Sequence, residues 1–252
     1  MKTEILRQNQ RSWNTVAAHF NGVDALPSFG PFAQTDDELQ LFESIQDKKV
    51  LDIGCGSGHS LAYMAEQGAA ELWGVDFSEN QIERASETLQ GLQANLHCAA
   101  MEEDIDLPRN YFDIVYSIYA IGWTTDLKET LNLIYSYLKP GGYFLFSWDH
   151  PLYAHLQSDQ GHISLNGSYQ EEGMTRYENF KGEDAPVAIP KRKFSTYLNS
   201  LIQAGFMIEE VVETDVPNQQ KNSETEVSDR YYSLYKAQKF PTTMIIKARK
   251  EN

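Results

Sequence analysis

An acidic residue followed by three alternating glycines is the segment of this chain best suited to binding chemistry. Asp52 stands two residues before Gly54, and the loop 54–58 has glycine at its first, third and fifth positions. Glycines let main-chain N–H groups approach a ligand where side chains would collide. A tight strand-to-helix turn would explain one or two glycines, but not three preceded by an acid. The segment therefore predicts a ligand-binding loop.

The spacing of these glycines distinguishes two kinds of cofactor. A dinucleotide-binding loop has the pattern G-x-G-x-x-G, which from Gly54 would place its third glycine at position 59, where the chain has His59. The third glycine is Gly58, and Asp52 would gain nothing beside a pyrophosphate. A positively charged ligand without phosphate would favour that carboxylate. The pattern thus disfavours a nicotinamide-dependent oxidoreductase.

A second acid, Asp76, lies 18 residues beyond Gly58. A carboxylate at the end of the second strand of such a unit can accept hydrogen bonds from both hydroxyls of a ribose. Taken alone, Asp76 is explained equally well as an acid at a helix N-terminus beside Ser78. Together with the glycine loop, the ribose interpretation is favoured.

Strands and helices alternate through the middle of the chain. We predict strands at 48–54, 71–78, 95–100, 112–120 and 143–148, and helices at 59–68, 79–91 and 126–138. This alternation indicates a parallel sheet covered on both faces, with ligands bound beyond the carboxyl ends of its strands. After an aperiodic insertion at 151–190, a helix at 194–206 precedes two strands, 207–213 and 242–250, predicted to form an antiparallel edge pair.

Composition and charge narrow the function classes. The chain of 252 residues has 21 Lys and Arg against 36 Asp and Glu, a net charge of −15. Proteins bind phosphate backbones by neutralising them with basic side chains, and the only basic cluster is 191–193, so a nucleic-acid partner is disfavoured. No stretch approaches the ~18 apolar residues of a membrane span, and no apolar signal segment begins the chain. Two cysteines, Cys55 and Cys98, fit a reducing compartment, and we expect a cytoplasmic location.

Five segments in order carry a family resemblance. They are VLDIGCGSG, GVDFSENQIERA, AAMEEDIDLP, FDIVYSIYA and LKPGGYFLFS, within residues 48–148. In this order they resemble the successive motifs of class I S-adenosylmethionine-dependent methyltransferases of the small-molecule type. The resemblance implies a Rossmann-like, doubly wound, mainly parallel seven-stranded sheet with an antiparallel edge strand. It also implies S-adenosylmethionine as cofactor and S-adenosylhomocysteine as product.

The resemblance assigns roles to particular positions. The methionine portion of the cofactor would be held by Asp52, Gly54, Cys55, Gly56 and Gly58. Asp76 would bind the ribose, and the adenine region would be lined by Phe77, Gln81, Met101 and Glu102. Ser117 would lie beside the loop, opposite Gly54. Many relatives have an acid in place of Ala100.

The remaining candidates concern a lid and the methyl acceptor. An N-terminal segment, 1–46, would fold over the cofactor with Trp13, Phe20 and Phe29, although the same apolar stripe could simply pack on the sheet. Trp123 would wall the acceptor pocket, although it could equally belong to the core. Tyr169, in the capping insertion, is a candidate base near the acceptor. Other candidate bases are His150, which could equally be a structural histidine, and Tyr119. No metal is predicted, because the histidines lack zinc-like spacing with any cysteine.

The sequence therefore predicts in-line transfer of a methyl group to an O, N or C atom of a small organic acceptor. Methylation of RNA or protein, and cofactor binding without catalysis, remain as alternatives. We expect a single domain over 1–252, with the segment 1–46, a cofactor-binding core at 47–149, a capping insertion at 151–190 and the rest of the sheet at 191–252. A monomer and a homodimer are both compatible with the sequence.

Overall fold

The computed structural model describes residues 2–20, 22 and 25–251. The strands are β1 (Lys49–Ile53), β2 (Glu71–Asp76), β3 (Ala94–Cys98), β4 (Phe112–Ile118), β5 (Leu138–Asp149), β6 (Leu156–Asp159), β7 (His162–Leu165), β8 (Gly173–Tyr177), β9 (Val187–Lys191), β10 (Met207–Glu213) and β11 (Thr243–Arg249). The helices are α1 (Lys2–Val16), α2 (Asp36–Leu39), α3 (His59–Glu66), α4 (Glu79–Thr88), α5 (Leu127–Tyr137), α6 (Phe194–Gln203) and α7 (Leu234–Ala237).

Seven strands form the main sheet, in the order β10-β11-β5-β4-β1-β2-β3. Five of these strands, β5, β4, β1, β2 and β3, run parallel to one another. Strand β11 runs antiparallel to both β5 and β10. The predicted Rossmann-like α/β fold is therefore confirmed, with the antiparallel strand lying one position in from the edge.

The sheet is covered on both faces, which explains its nearly continuous apolar strands. Val50 and Leu51 of β1 point to opposite faces, and both are fully buried. One face packs with α5 around Phe112 and Phe144, and the other packs with α3 around Ile114. Strand ends on this scaffold are fixed in position, so residues that follow them can form a site.

Local signals start the helices that follow β2 and β4. The Ser78 hydroxyl accepts a hydrogen bond from the Gln81 N–H, and the Asp126 carboxylate accepts one from the Glu129 N–H. Each bond satisfies an N–H group that the first helical turn leaves unpaired. Helix α4 therefore begins three residues after Asp76. This early start of the helix holds that acid at the carboxyl end of β2.

Three regions differ from the sequence prediction. Residues 140–142, expected to form a turn, lie inside β5, although they do follow the end of α5. Helix α1 begins at Lys2, eleven residues before Trp13, where the predicted apolar stripe starts. The insertion folds into two hairpins, β6–β7 and β8–β9. Strand β8 is mostly exposed, so nothing required the alternating pattern that would have revealed it.

Helix α1 joins the insertion to the cofactor-binding core. The buried Asn9 side chain donates to the Ala188 carbonyl and accepts from its N–H, both at 2.8 Å. One turn later, Asn14 accepts from the Ser78 hydroxyl at 2.6 Å and from Asn80. The N-terminal segment thus crosses from the hairpin β8–β9 to the start of α4. Of that segment, residues 1, 21, 23 and 24 lie outside the described part of the chain.

None of the helices in the described ranges has the length and apolar composition needed to cross a bilayer.

Candidate active site

The three glycines after β1 differ in what surrounds them. All have positive φ, at 83° for Gly54, 50° for Gly56 and 80° for Gly58. A Cβ on Gly54 would lie 2.2 Å from that of Ala120, and one on Gly58 would lie 3.1 Å from Ala85. A Cβ on Gly56 would have no atom within 4 Å. Gly54 and Gly58 therefore allow close packing, whereas Gly56 leaves open space.

The two acids of the predicted site are both buried at the ends of adjacent strands. Asp52 Oδ1 is buried and has no hydrogen-bond partner among the described residues. Asp76 accepts the N–H groups of Gly56, at 3.0 Å, and Ser78, at 2.9 Å. Burial raises the pKa of Asp52 well above its ordinary value, against the opposing effect of the Tyr116 hydroxyl, and Asp76 adds to the rise. Burial also raises the pKa of Asp76 to about 6, against the opposing effect of its two N–H donors.

A cavity of 660 Å³ opens beyond the carboxyl ends of β1 to β5. At the β1–β3 end, the cavity is lined by nine of the eleven predicted cofactor contacts. These are Asp52, Gly54, Cys55, Gly56, Asp76, Phe77, Gln81, Met101 and Glu102. Gln81 also presents a buried Oε1 with no partner in the described chain. The structure thus brings these residues to one surface.

Two predicted cofactor residues do not line the cavity. Ser117 is fully buried and donates its hydroxyl hydrogen bond to the Ile53 carbonyl at 2.7 Å. Gly58 precedes α3 and packs on Ala85. Both residues therefore support the shape of the loop from the side that faces away from the cavity. Glu102, although it lines the cavity, has Oε1 occupied by the N–H and hydroxyl of Thr125, at 2.9 and 2.8 Å.

Aromatic side chains, two of them from the N-terminal segment, close one side of the cavity. Trp13 contacts Phe20, Trp123 and Phe180, with ring centres 4.5, 5.1 and 5.4 Å apart. The indole N–H of Trp13 is buried and has no hydrogen-bond partner among the residues described. Phe180 completes this group. It lies in the insertion, whose aromatic residues were expected to cap the active site.

Two other predicted lid or pocket residues lie elsewhere. Phe29 is fully buried and stacks on Phe42, with ring centres 6.1 Å apart. It belongs to the apolar core on the sheet face that contains Ile114, and it does not line the cavity. Tyr169 uses its hydroxyl to accept the N–H of Phe194 at 3.0 Å and lies outside the cavity lining. Its position is fixed by the start of α6.

His150 lines the cavity, but both of its ring nitrogens are engaged. Nε2 lies 2.8 Å from Glu213 Oε1, and Nδ1 accepts the Leu152 N–H at 3.3 Å. This pattern corresponds to a neutral ring with its proton on Nε2. Burial lowers the pKa of His150, with Glu213 opposing the change. The arrangement fits a positioning residue better than a proton acceptor.

Tyr119 takes part in a cluster that the sequence did not reveal. Its hydroxyl donates to Asp149 Oδ1 at 2.7 Å, and Tyr232 donates to the same oxygen. Tyr231 donates to Asp149 Oδ2 at 3.3 Å. All four residues line the cavity at the β4–β5 end. Tyr119 has φ of 55°, and such strain in a non-glycine residue often marks a functional position.

Comparison with known proteins identifies the family. A methyltransferase domain model matches residues 50–142. An uncharacterized protein of Haemophilus influenzae is 31% identical over 84% of this chain and 85% of its own length. A crystal structure of an S-adenosylmethionine-dependent methyltransferase from Mesorhizobium loti is 27% identical, with a TM-score of 0.71 over 84% of this chain and 94% of that one. This chain belongs to the class I S-adenosylmethionine-dependent methyltransferases.

Relatives with named acceptors match this methyltransferase over part of their length. Phosphoethanolamine N-methyltransferase 3 of Arabidopsis thaliana is 32% identical over 48% of this chain, and the match covers 25% of the plant protein.

S-adenosylmethionine is the cofactor of this methyltransferase, and the residues present fit it. Its methionine portion carries an ammonium group, and Asp52 offers a buried carboxylate oxygen without a partner. The open space beside Gly56 would be filled by any side chain there. Among the described residues, no group of three or more His, Cys, Asp or Glu could hold a metal ion.

Proposed function

We propose that this methyltransferase moves the methyl group of S-adenosylmethionine to a small organic acceptor bound at the β4–β5 end of the cavity. The observation that carries the proposal is the continuity of one 660 Å³ cavity between two different ends. The first end has the glycine loop and two buried acids, and the second has aromatic rings and one carboxylate. A site of this size and enclosure suits a cofactor and a compact substrate.

Charge and the named relative support a small acceptor. The net charge of −15 disfavours nucleic acid, because phosphate backbones are bound by basic surfaces. The plant relative is named for phosphoethanolamine, which is a small molecule. We extend that size class, and not that substrate, to this chain.

At the cofactor end, the family resemblance suggests a role for each residue, and the burial and open space of the local geometry support these roles. Asp52 Oδ1 would accept the ammonium group of the methionine portion, and Asp76 would accept the ribose hydroxyls. The main chain of residues 54–56 would lie against the cofactor, with Cys55 in that stretch. Phe77, Gln81, Met101 and Glu102 would surround the adenine. Gly58 and Ser117 would act from behind the loop.

At the acceptor end, the aromatic group of Trp13, Phe20, Trp123 and Phe180 would exclude water. A water-poor site strengthens electrostatic interactions with the sulfonium and prevents its hydrolysis. Tyr119 would contact the acceptor, and His150 would hold the wall formed by the chain after β5. The bound cofactor supplies an activated methyl group. The protein therefore has mainly to align the acceptor atom with that methyl.

The experiment begins with calorimetric titration of the purified chain with S-adenosylmethionine, S-adenosylhomocysteine and NAD. We expect the two sulfur nucleosides to bind and NAD not to bind. Asp52→Asn should weaken both sulfur nucleosides, whereas Asp215→Asn, at a surface ion pair with Lys221, should leave them unchanged.

Cofactor labelled in its methyl group would then be incubated with small-metabolite, RNA and protein fractions. Label recovered in a small molecule supports the proposal. Label in RNA or protein would overturn the acceptor class. Binding without label transfer to any fraction would indicate a cofactor-binding protein without catalysis.

A further inference from the structure

Among the residues that the structure describes, one carboxylate lies at the acceptor end of the cavity, beside three phenol rings. Asp149 lies at the carboxyl end of β5 and receives hydrogen bonds from Tyr119, Tyr231 and Tyr232. The rings of Tyr231 and Tyr232 meet at 85°, and those of Tyr119 and Tyr232 at 60°. Rings inclined so steeply form the walls of a corner instead of a stack. We name these four residues the tyrosine corner.

The strand order separates this corner from the cofactor end. The glycine loop follows β1, and the proposed ribose and adenine contacts follow β2 and β3, to one side of it in the sheet. Tyr119 follows β4, and Asp149 ends β5, on the other side. Asp149 is therefore on the side of the cavity that remains for the acceptor.

Two basic side chains that line the cavity are directed at main-chain oxygens, and a third, Lys181, has its ammonium 4.5 Å from the centre of the Phe20 ring. Arg192 donates to the carbonyls of Gly122 and Thr124, and Lys191 donates to that of Ser168. An anionic acceptor would need such groups to be available. A carboxylate attracts the opposite charge, and the hydroxyl groups of Tyr119, Tyr231 and Tyr232 hold the Asp149 carboxylate in place. The Lys236 ammonium lies 5.8 Å from the centre of the Tyr231 ring but is not part of the cavity lining.

From this arrangement we infer that the tyrosine corner binds the ammonium group of an amine, and that the atom methylated is the nitrogen of that amine. The inference rests on the proposed function and specifies its acceptor. An ammonium N–H would pass its proton to a carboxylate oxygen of Asp149 and from there to water. The freed lone pair would form the N–C bond to the methyl carbon. The C–S bond would break with its electron pair left on sulfur, giving S-adenosylhomocysteine and the methylated amine.

The test compares a cation with a neutral molecule of the same shape. The full chain is saturated with S-adenosylhomocysteine, and choline and 3,3-dimethylbutan-1-ol are titrated separately, with binding followed by NMR. These probes differ in having N⁺ or carbon at the branch point. We expect choline to bind at least tenfold more tightly. Equal affinity, or no binding of either probe, would overturn the amine assignment.

Two variants connect the result to the tyrosine corner. Asp149→Asn should reduce choline affinity at least tenfold, with the affinity for S-adenosylhomocysteine unchanged. Tyr231→Leu removes one ring from a partly exposed position and should also weaken choline, which keeps the test valid if Asp149→Asn does not fold. Asp215→Asn removes the same charge at a surface ion pair and should change neither affinity.

The same samples separate this inference from the proposed function. If S-adenosylhomocysteine fails to bind the natural chain, the proposed function is overturned, and the amine assignment with it. If it binds and choline is not preferred over its isostere, only the amine assignment is lost. A choline preference that persists in both Asp149→Asn and Tyr231→Leu would also overturn the role of the corner.

Discussion

Replacing Gly56 with alanine separates the binding role of the glycine loop from its role as a turn. Gly56 has φ of 50°, where an L side chain costs about 1–2 kcal/mol. A Cβ built there meets no atom within 4 Å, so collision adds nothing to that cost in the protein without ligand. We expect the melting temperature to fall by about 2–8 °C, since 1 kcal/mol corresponds to about 2–4 °C at this chain length.

The effect on cofactor binding should be much larger than this loss of stability implies. Gly56 lines the cavity, so the added methyl group would occupy room that the ligand needs to approach the main chain. Losing one hydrogen bond to a charged group costs about 1.5–3 kcal/mol. That cost corresponds to about 10–150-fold weaker binding of S-adenosylhomocysteine.

The matched control is Gly91→Ala. Gly91 has φ of 89° and also has no atom within 4 Å of a built Cβ, but it lies after α4 and outside the cavity lining. Scanning calorimetry should show a similar loss of stability in the two variants, and titration should show weak binding only in Gly56→Ala. Full binding by Gly56→Ala would refute the reasoning and reduce the loop to a turn.

Three further predictions are tested by ligand titration or by unfolding measurements. Because burial raises the pKa of Asp76 to about 6, its carboxylate should become a poorer acceptor as the pH falls through 6, and S-adenosylhomocysteine affinity should fall with it. Asp76→Asn should weaken binding about tenfold or more at pH 8 and flatten that dependence, and an unchanged pH profile would contradict the ribose role. His150→Ala should lower the free energy of unfolding by about 2–3 kcal/mol through loss of two hydrogen bonds, with cofactor affinity within about twofold; the reverse pattern would place His150 at the cofactor. Asn9→Ala should cost about 2–3 kcal/mol in urea unfolding, because it leaves the buried N–H and C=O of Ala188 unpaired; a loss below about 0.5 kcal/mol would show that α1 is not anchored there.

The sheet and the glycine loop could be predicted because their signals are local. The inner strands of the main sheet are largely apolar segments, and the loop from Gly54 to Gly58 is a contiguous motif. Its spacing alone disfavoured a dinucleotide. The hairpin β8–β9 gave no such signal, because an exposed hairpin places few demands on which residues alternate.

The residues around the acceptor end depend on contacts that no local pattern describes. Asp149 meets Tyr231 and Tyr232 across more than eighty positions, and His150 meets Glu213 across sixty-three. The aromatic composition of the segment before α2 suggested a lid, yet Phe29 packs in the core. The residue types there correctly indicated apolar contacts, but the sequence did not show whether the segment faces the cavity or the core.

The two ends of the cavity therefore differ in how they are encoded. The predicted cofactor contacts lie between positions 52 and 117 and are held by four neighbouring strands and their loops. The acceptor end draws Trp13 from α1, Phe180 from the insertion and Tyr231 from the segment before β11. A substitution in the insertion can then change the acceptor wall without moving the glycine loop. This separation explains why the cofactor could be inferred from a motif, whereas the acceptor had to be inferred from charge and ring geometry in three dimensions.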